Sequence, residues 1–187
     1  MPDPTHVSPA QASDLLRQIE ATEQRTLETI GYREASGYLM IWGLVWASAF
    51  GASHFFPGSS GAVWLLALAA GTAASVWLGL RQAKNGAPST NGRVWTTVAL
   101  IFGFGIVASA LLGMGPKQVS LFWVLMIMTI YMVMGTWLGS RFTVLGASIA
   151  ALACVVYFVA PDAFNLWMAL LGGGGLLLGG FWLRWRP

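Results

Sequence analysis

The chain has 187 residues, of which 56% are hydrophobic and only 9% are charged, whereas about a quarter of the residues in a soluble domain are charged. The mean hydropathy of +0.66 and the ten tryptophans indicate an integral membrane protein that contacts the lipid bilayer. The basic residues are scattered between apolar runs, which argues against a nucleic-acid partner. A single cysteine, Cys154, excludes an internal disulfide and a multi-cysteine metal site.

Residues 1–36 are predicted to form a cytosolic N-terminal amphipathic helix. Ser8 suits the helix N-cap and Pro9 suits its first turn. The stretch 9–36, which we call the arm, has no interior proline and carries one narrow apolar stripe, formed by Leu15, Leu16, Ile19, Leu27 and Ile30. Its charged side chains sum to −2, whereas a helix that lies on anionic lipid should be basic. We therefore interpret the arm as a protein-binding or self-associating helix, although a solvated extension of the first span explains the pattern equally well.

Six apolar runs follow, each of 19 to 22 residues without Asp, Glu, Lys or Arg. About 20 helical residues cross the hydrocarbon core of a bilayer. The sequence therefore predicts an all-α transmembrane domain over 37–187 with six spanning helices, at about 38–56, 61–80, 94–114, 119–140, 142–160 and 163–183. Proline and glycine mark the short connections, and the polar segment 82–92 is the longest of them.

One pattern occurs three times: a proline, a tryptophan six or seven residues later, a second tryptophan that closes the apolar run, and an arginine four residues after it. Such an internal repeat predicts three helical hairpins in one orientation, related by a pseudo-threefold axis along the membrane normal. The three copies are Pro57, Trp64, Trp77 and Arg81; Pro116, Trp123, Trp137 and Arg141; and Pro161, Trp167, Trp182 and Arg186.

The basic residues also predict the orientation. With six spans, nine of the ten Lys and Arg residues lie on the side of the two termini, and only Lys117 lies on the other side. Lys and Arg are retained on the cytosolic side of membranes. We therefore expect cytosolic N- and C-termini in a plasma membrane or a bacterial inner membrane. The N-terminus lacks the charged and apolar regions of a cleavable signal peptide, so the first span should act as an uncleaved anchor.

Small residues at four-residue spacing favour close contacts between membrane helices. The expected contact residues at this spacing are Gly71 with Ser75, Gly135 with Gly139, and Gly175 with Gly179, and a close contact is also expected for Gly103 with Gly105, which are two residues apart. The run Gly172–Gly175 favours either very close packing or a hinge, with packing the preferred interpretation. Exposed glycine and tryptophan faces would also suit a homo-oligomer.

The spans carry little that could perform chemistry. After Glu34 the only side-chain carboxylate is Asp162, in a predicted outer turn. Proton relays and ion-coupled carriers use ionisable groups inside the membrane. No nucleophile–base pair, phosphate-binding glycine loop or pair of metal ligands is evident. The sequence therefore predicts no catalytic residues, no metal and no cofactor, and we expect a protein that is not an enzyme.

Two candidate binding sites remain. Arg81, Arg141 and Arg186 would form a ring on the cytosolic side that could hold an anionic lipid headgroup or the acidic arm, or they could be topology anchors that snorkel to the interface. His54, at the outer end of the first span, could bind a metal or haem or sense pH, or it could be a polar cap at the interface.

These observations favour a multi-pass membrane module that recruits or regulates a partner through the arm. The alternative is a small passive transporter or channel for a neutral or lipidic solute. Deleting the arm should abolish the first function and spare the second.

Overall fold

A computed structural model describes residues 9–84 and 92–185, so the predicted N-cap at Ser8 and Arg186 lie outside the described residues. Within these ranges every regular element is helical, which confirms the all-α class. The helices are α1 (Pro9–Phe55), α2 (Ser60–Lys84), α3 (Gly92–Leu111), α4 (Pro116–Leu138), α5 (Ser140–Val159), α6 (Phe164–Trp167) and α7 (Gly174–Trp185). A π-helical turn, Met168–Gly173, joins α6 to α7, and we call the continuous segment Phe164–Trp185 the last helix.

The three prolines of the repeat begin helical segments. Pro116 is the first residue of α4, while Pro57 and Pro161 begin short 3₁₀ turns that lead into α2 and α6. Proline suits this position because its fixed φ matches the helix and its missing N–H is not needed there. Ahead of α4, the Gly115 N–H donates a hydrogen bond of 2.8 Å to Oε1 of Gln118. Local sequence therefore explains where these helices start.

Five segments within the described residues are long and apolar enough to cross a bilayer, consistent with an all-α membrane protein. A sixth span is not confirmed, because the described apolar part of α3, Thr96–Leu111, is shorter than the other five. The five segments are Gly31–Phe55, Pro57–Lys84, Pro116–Leu138, Ser140–Val159 and Pro161–Trp185.

The first helix is much longer than one span. α1 has 47 residues, or about 70 Å at 1.5 Å per residue, and its apolar part begins at Gly31. It crosses the predicted boundary at residue 36 without interruption. Tyr32 and Ser36 are already buried, at 7% and 4% exposure, so the last turns of the arm belong to the helical bundle.

The helices pack in a different pattern from three separate hairpins. The most extensive contacts join α4 to α5 and α1 to the last helix, followed by α1 to α2. α3 makes only a small contact with α4, and α5 makes modest contacts with α7. The order in space is therefore α2, α1, last helix, α5, α4 and α3, with a further contact between α1 and α4. The three-hairpin repeat with its threefold axis is not confirmed.

The core lies among α1, α4, α5 and the last helix. Its largest fully buried side chains are Leu39, Val124, Met128, Phe142, Phe164, Met168 and Leu176. The two edge helices contribute little, since Gly71 is the one buried residue of α2 and Gly105 the one buried residue among the described side chains of α3. The apolar surface of α2 and α3 therefore faces outward, as expected where lipid replaces water.

Glycines bring α1 and the last helix into backbone contact. A Cβ atom at Gly173 would lie 2.6 Å from N of Ala47, and one at Gly43 would lie 3.0 Å from O of Gly173. A Cβ at Gly180 would lie 3.0 Å from O of Ser36. A Cβ at Gly173 would lie closer to a backbone atom than real Cβ atoms do, and the other two distances are unusually short, so glycine allows this close spacing of the helices. Gly172–Gly175 therefore serves close packing, although a Cβ at Gly174 would meet no other part of the protein within 4 Å.

Most of the other predicted small-residue contacts are present. Gly135 lies against Thr143, Gly179 against Leu145, and Gly71 against Val45. Gly146, which was not among the predicted contacts, approaches O of Met128, so that a Cβ there would lie 2.7 Å away. The expectation for Gly103 is wrong, because a Cβ there would have no other part of the protein within 4 Å. Of this pair, Gly105 alone faces α4.

Candidate functional site

Three helices converge on the Arg141 side chain. Arg141 lies in the first turn of α5, and its guanidinium carbon is 5.0 Å from the ring centroid of Tyr32 in α1 and 5.5 Å from that of Trp182 in α7. A cation over an aromatic ring within about 6 Å is attracted by the ring quadrupole, with a gain of about 0.5–2 kcal/mol that grows with desolvation. We call these three residues the arginine cluster.

The turn that places Arg141 depends on Gly139. Its φ of 114° and ψ of 148° are strained for any residue with a side chain. The Tyr32 hydroxyl group occupies the space that a Cβ at Gly139 would need. The Tyr32 ring also packs on Phe142, with a centroid separation of 5.5 Å. One tyrosine of α1 is thus fitted to the turn between α4 and α5.

The arginine cluster can do two things chemically. Stacking uses the flat faces of a guanidinium, and its N–H groups lie at the edge. The same side chain can therefore hold rings and also donate to an anionic or polar group. Arg141 is half-buried, whereas Trp182 exposes 40% of its surface, so the cluster lies at the border between the core and the surroundings.

The predicted ring of arginines is only partly placed. Arg81, in the last turn of α2, is exposed and lies over the ring of Trp77, one helical turn away, at 5.4 Å. Arg186 lies outside the described residues. Arg81 and Arg141 thus each stack on tryptophan, but the three-membered ring stays a prediction.

A second contact at this end of the bundle holds α1 to α2. The Tyr38 hydroxyl donates a hydrogen bond of 3.1 Å to Oε1 of Gln82, and Nε2 of Gln82 donates one of 3.2 Å to O of Glu34. Gly79 leaves room for the tyrosine, because a Cβ there would lie 3.0 Å from the hydroxyl oxygen. These partners are more than 40 residues apart, and no local pattern predicts them.

His54 lies near the end of α1, half-buried, with its ring 5.2 Å from that of Phe55 in an edge-to-face arrangement. Within the described residues, no group of three or more His, Cys, Asp or Glu side chains could hold a metal ion. A metal at His54 therefore has no support in this part of the chain, while a polar cap at the interface is compatible with its position.

The opposite end of the bundle carries an exposed ion pair. Nζ of Lys117, at the start of α4, lies 2.9 Å from Oδ1 of Asp162, in the turn before α6. The Lys117 ammonium donates a hydrogen bond to Asp162 and attracts its charge, and both effects hold the pKa of that carboxyl below its usual value. Surface pairs of this kind contribute little to stability.

The apolar stripe of the arm is only partly visible. Leu15 exposes 51% of its surface. The side chains of Leu16, Ile19, Leu27 and Ile30 lie outside the described set, so their shared face stays a prediction.

Helix lengths and packing define the class: an all-α protein with membrane-length apolar helices and one helix extended beyond its apolar part. In comparisons with known proteins, the chain matches no family model, no curated protein and no solved structure.

The sequence pointed to Arg141 through the repeat but did not identify its partners. Tyr32 is one tyrosine in a mixed-charge helix, and nothing in its spacing marks it. Gly139 offered a signal, since a glycine between two apolar runs is typical of a turn. Its specific fit to Tyr32 requires the packing of α1 against the turn.

Proposed function

We propose that this protein is a non-enzymatic, multi-pass membrane module that recruits or regulates a protein partner through its arm. The observation that carries the proposal is the length of α1, which continues without a break from Pro9 into the apolar segment. The part before Gly31 extends about 30 Å at 1.5 Å per residue. A helix of this kind presents its side chains at a fixed distance from the membrane.

The base of the arm supports the same proposal. Tyr32 is buried between the Arg141 guanidinium and the Phe142 ring. The Ser36 hydroxyl donates a hydrogen bond of 2.8 Å to O of Arg33, and the Ser36 carbonyl oxygen lies in the contact with the last helix. An arm clamped at its base can hold a partner in a defined position and can transmit a displacement to the core.

The core also argues against a path for solutes through its centre. Leu39, Met128 and Phe142 are each at most 2% exposed, and glycines close the contact between α1 and the last helix. Buried side chains and closely packed backbone therefore occupy this region. The function then depends on the surfaces of the bundle and on the arm.

The test is chemical cross-linking in native membranes with the full chain, followed by purification and mass spectrometry. The deletion should remove residues 9–30 and keep Tyr32 and Ser36, which belong to the bundle. A second variant replaces Leu15, Leu16, Ile19, Leu27 and Ile30 with glutamine. A matched control replaces five polar residues of the same helix, Gln11, Gln18, Thr22, Gln24 and Thr29, with alanine.

We expect one protein to be captured by the full chain and by the polar-face control, and to be lost from the deletion and from the glutamine variant. If all four forms capture the same material, or only copies of themselves, the proposal is wrong. Equal insertion of the four forms is checked by their amounts in the membrane fraction.

The orientation and the headgroup site belong to the same proposal. Both termini would then be cytosolic, and Arg81 and Arg141 would meet the anionic inner leaflet. Single cysteines at Ser13 and at Ser59, in a Cys154→Ala background, should react with an impermeant maleimide from opposite sides of the membrane. Labelling of both from one side would disprove the orientation.

The alternative, passive passage of a lipidic solute, is favoured by one observation. A groove of about 500 Å³ lies between α3 and α4 and is lined by Leu100, Ile101, Phe104, Phe122, Leu125, Met126, Thr129 and Ile130. It is almost wholly apolar and open on one side. Transfer of a fluorescent lipid between leaflets of proteoliposomes, unchanged by deletion of the arm, would support this function in place of the first.

A further inference from the structure

The last helix is irregular at one place. Its first four residues, α6, are α-helical, the next six form the π-helical turn, and the remainder, α7, is α-helical again. In a π turn the backbone hydrogen bonds join residues five positions apart, instead of four as in an α-helix, so the turn contains one additional residue. Such turns are rare, and each has a local cause that the packing should show.

The buried positions on the two sides of the turn are out of phase for a regular α-helix. Phe164 and Met168 are buried before or at the start of the turn, and Leu176, Gly179, Gly180 and Leu183 are buried after it. At about 100° per residue, an unbroken α-helix would point the second set about 90° away from the first. Much of one half would then face the surroundings.

The π turn corrects this difference. One additional residue in a turn sets the following helix back by about 100°. The contacts agree: the Phe164 ring lies 6.4 Å from that of Phe50 in α1 and 6.1 Å from that of Tyr157 in α5. A Cβ at Gly179 would lie 2.7 Å from Cδ2 of Leu145 in α5, and one at Gly180 would lie 3.0 Å from O of Ser36 in α1. Both halves of the last helix therefore pack on the same neighbours.

The additional residue is on the outside. Leu170, within the turn, exposes 60% of its surface. Gly172 and Gly173 lie on the inner side, where their missing Cβ atoms would meet Trp46 at 3.1 Å and Ala47 at 2.6 Å. The turn thus places its glycines against α1 and its leucine away from the core.

We propose that the π turn Met168–Gly173 is a one-residue register insert, a conformational device that rotates α7 back onto α1 and α5. A last helix with one residue fewer in the turn is a continuous α-helix with the same buried face. This inference is independent of the function of the arm.

The test is deletion of Leu170 in the full chain, compared with deletion of Leu152. Leu152 is a matched control because it is also exposed, at 41%, but lies in the regular α-helix α5 between the buried Ile149 and Ala153. Deletion of Leu170 should leave Tm within about 4 °C of the parent in detergent. Deletion of Leu152 rotates the following turns of α5 and should lower Tm by more than about 10 °C.

A second measurement reports the register directly. In a Cys154→Ala background, Leu145→Cys is combined with either Gly179→Cys or Gly180→Cys and oxidised with copper phenanthroline. After deletion of Leu170, the pair at 145 and 179 should still form its disulfide as efficiently as in the parent. Transfer of the disulfide to the pair at 145 and 180 would show that the π turn persists and α7 has rotated. That result, or a loss of Tm equal to that of the Leu152 deletion, would overturn the proposal.

Discussion

Two of the glycine contacts in this molecule differ in what the glycine faces. Between α1 and the last helix, a Cβ at Gly173 would meet the backbone N and Cα of Ala47, at 2.6 and 2.7 Å. Between α3 and α4, a Cβ at Gly105 would meet side-chain atoms, Cη2 of Trp123 at 2.7 Å and Cε of Met126 at 3.0 Å. Backbone atoms cannot move without their helix, whereas side-chain ends can rotate.

Backbone contacts of this kind belong to the rigid part of the bundle, whereas the side-chain contacts of Gly105 lie at its edge. About 39% of the apolar part of α1 and of the last helix is buried, against 6% for α2. We infer that α1, α4, α5 and the last helix form the stable unit, and that α2 and α3 can shift with less loss of packing. Alanine substitution at matched glycines tests this inference.

The largest effect is expected for Gly173→Ala. The new methyl group would overlap the backbone of α1, and overpacking of this kind lowers the free energy of unfolding by about 3 kcal/mol. Its matched control is Gly174→Ala, where nothing lies within 4 Å and the better helix propensity of alanine should add up to about 1 kcal/mol. Unfolding in mixed micelles measures both, and equal effects would contradict the backbone contact.

The next largest loss of stability is expected for Gly139→Ala. This substitution tests whether the turn at the arginine cluster is as rigid as the glycine contact of α1. The positive φ and the Tyr32 hydroxyl together should lower stability by about 2 kcal/mol. Gly113→Ala is the control, because Gly113 also has a positive φ, of 57°, but nothing within 4 Å, and should lose about 1 kcal/mol.

A double variant divides the Gly139 effect into its parts. Tyr32→Phe removes the hydroxyl group but keeps Cζ, which would lie 2.6 Å from a Cβ at position 139. Combining it with Gly139→Ala should therefore recover a portion of the steric loss and leave the backbone strain. If the two substitutions are additive, the tyrosine is not fitted to the turn.

A smaller effect is expected for Gly105→Ala at the edge of the bundle. Trp123 and Met126 can rotate away, so the loss should be about 1 kcal/mol, at the low end for overpacking. Gly103→Ala, which has open space, should be neutral or stabilising. A loss at Gly105 as large as that at Gly173 would mean that α3 belongs to the rigid unit.

The smallest effect concerns the exposed pair of Lys117 and Asp162. The pKa of the Asp162 carboxyl is lower in the folded protein than in the unfolded chain. The ion pair therefore contributes to stability above the pKa that this carboxyl has in the unfolded chain, and the contribution is lost as the pH falls below about 4. Asp162→Asn should remove this acid-dependent part and leave stability at pH 7 nearly unchanged. The pH dependence of Tm for both forms, at low and high salt, checks the sign.

Sequence alone was sufficient for the all-α class and for five apolar segments of membrane length, because these are local properties. Length and hydropathy determined the apolar segments, and prolines determined several starts. The carboxylate-free spans and the basic helix ends were equally readable. The sixth span stays a prediction, since the described apolar part of α3, Thr96–Leu111, is shorter than the other five segments.

Tertiary structure decided which helices pair. The repeat predicted α3 with α4 and α5 with the last helix, yet the closest pairs are α4 with α5 and α1 with the last helix. Repeated tryptophans and arginines indicate where helices meet the membrane interface. Many different arrangements of the same helices satisfy this condition, so the pattern does not show which helices are neighbours. Contact between backbones depends on matching glycine with glycine or alanine across helices far apart in sequence, as Gly173 does with Ala47.

The same distinction holds at the candidate site. The sequence alone placed Arg141 at the end of an apolar run, one turn after a tryptophan, because the position of a residue relative to an apolar segment can be read along one stretch of chain. Only the folded molecule placed Tyr32 and Trp182 beside it, and only the folded molecule required a π turn, since burial on one side of a helix is defined by its neighbours.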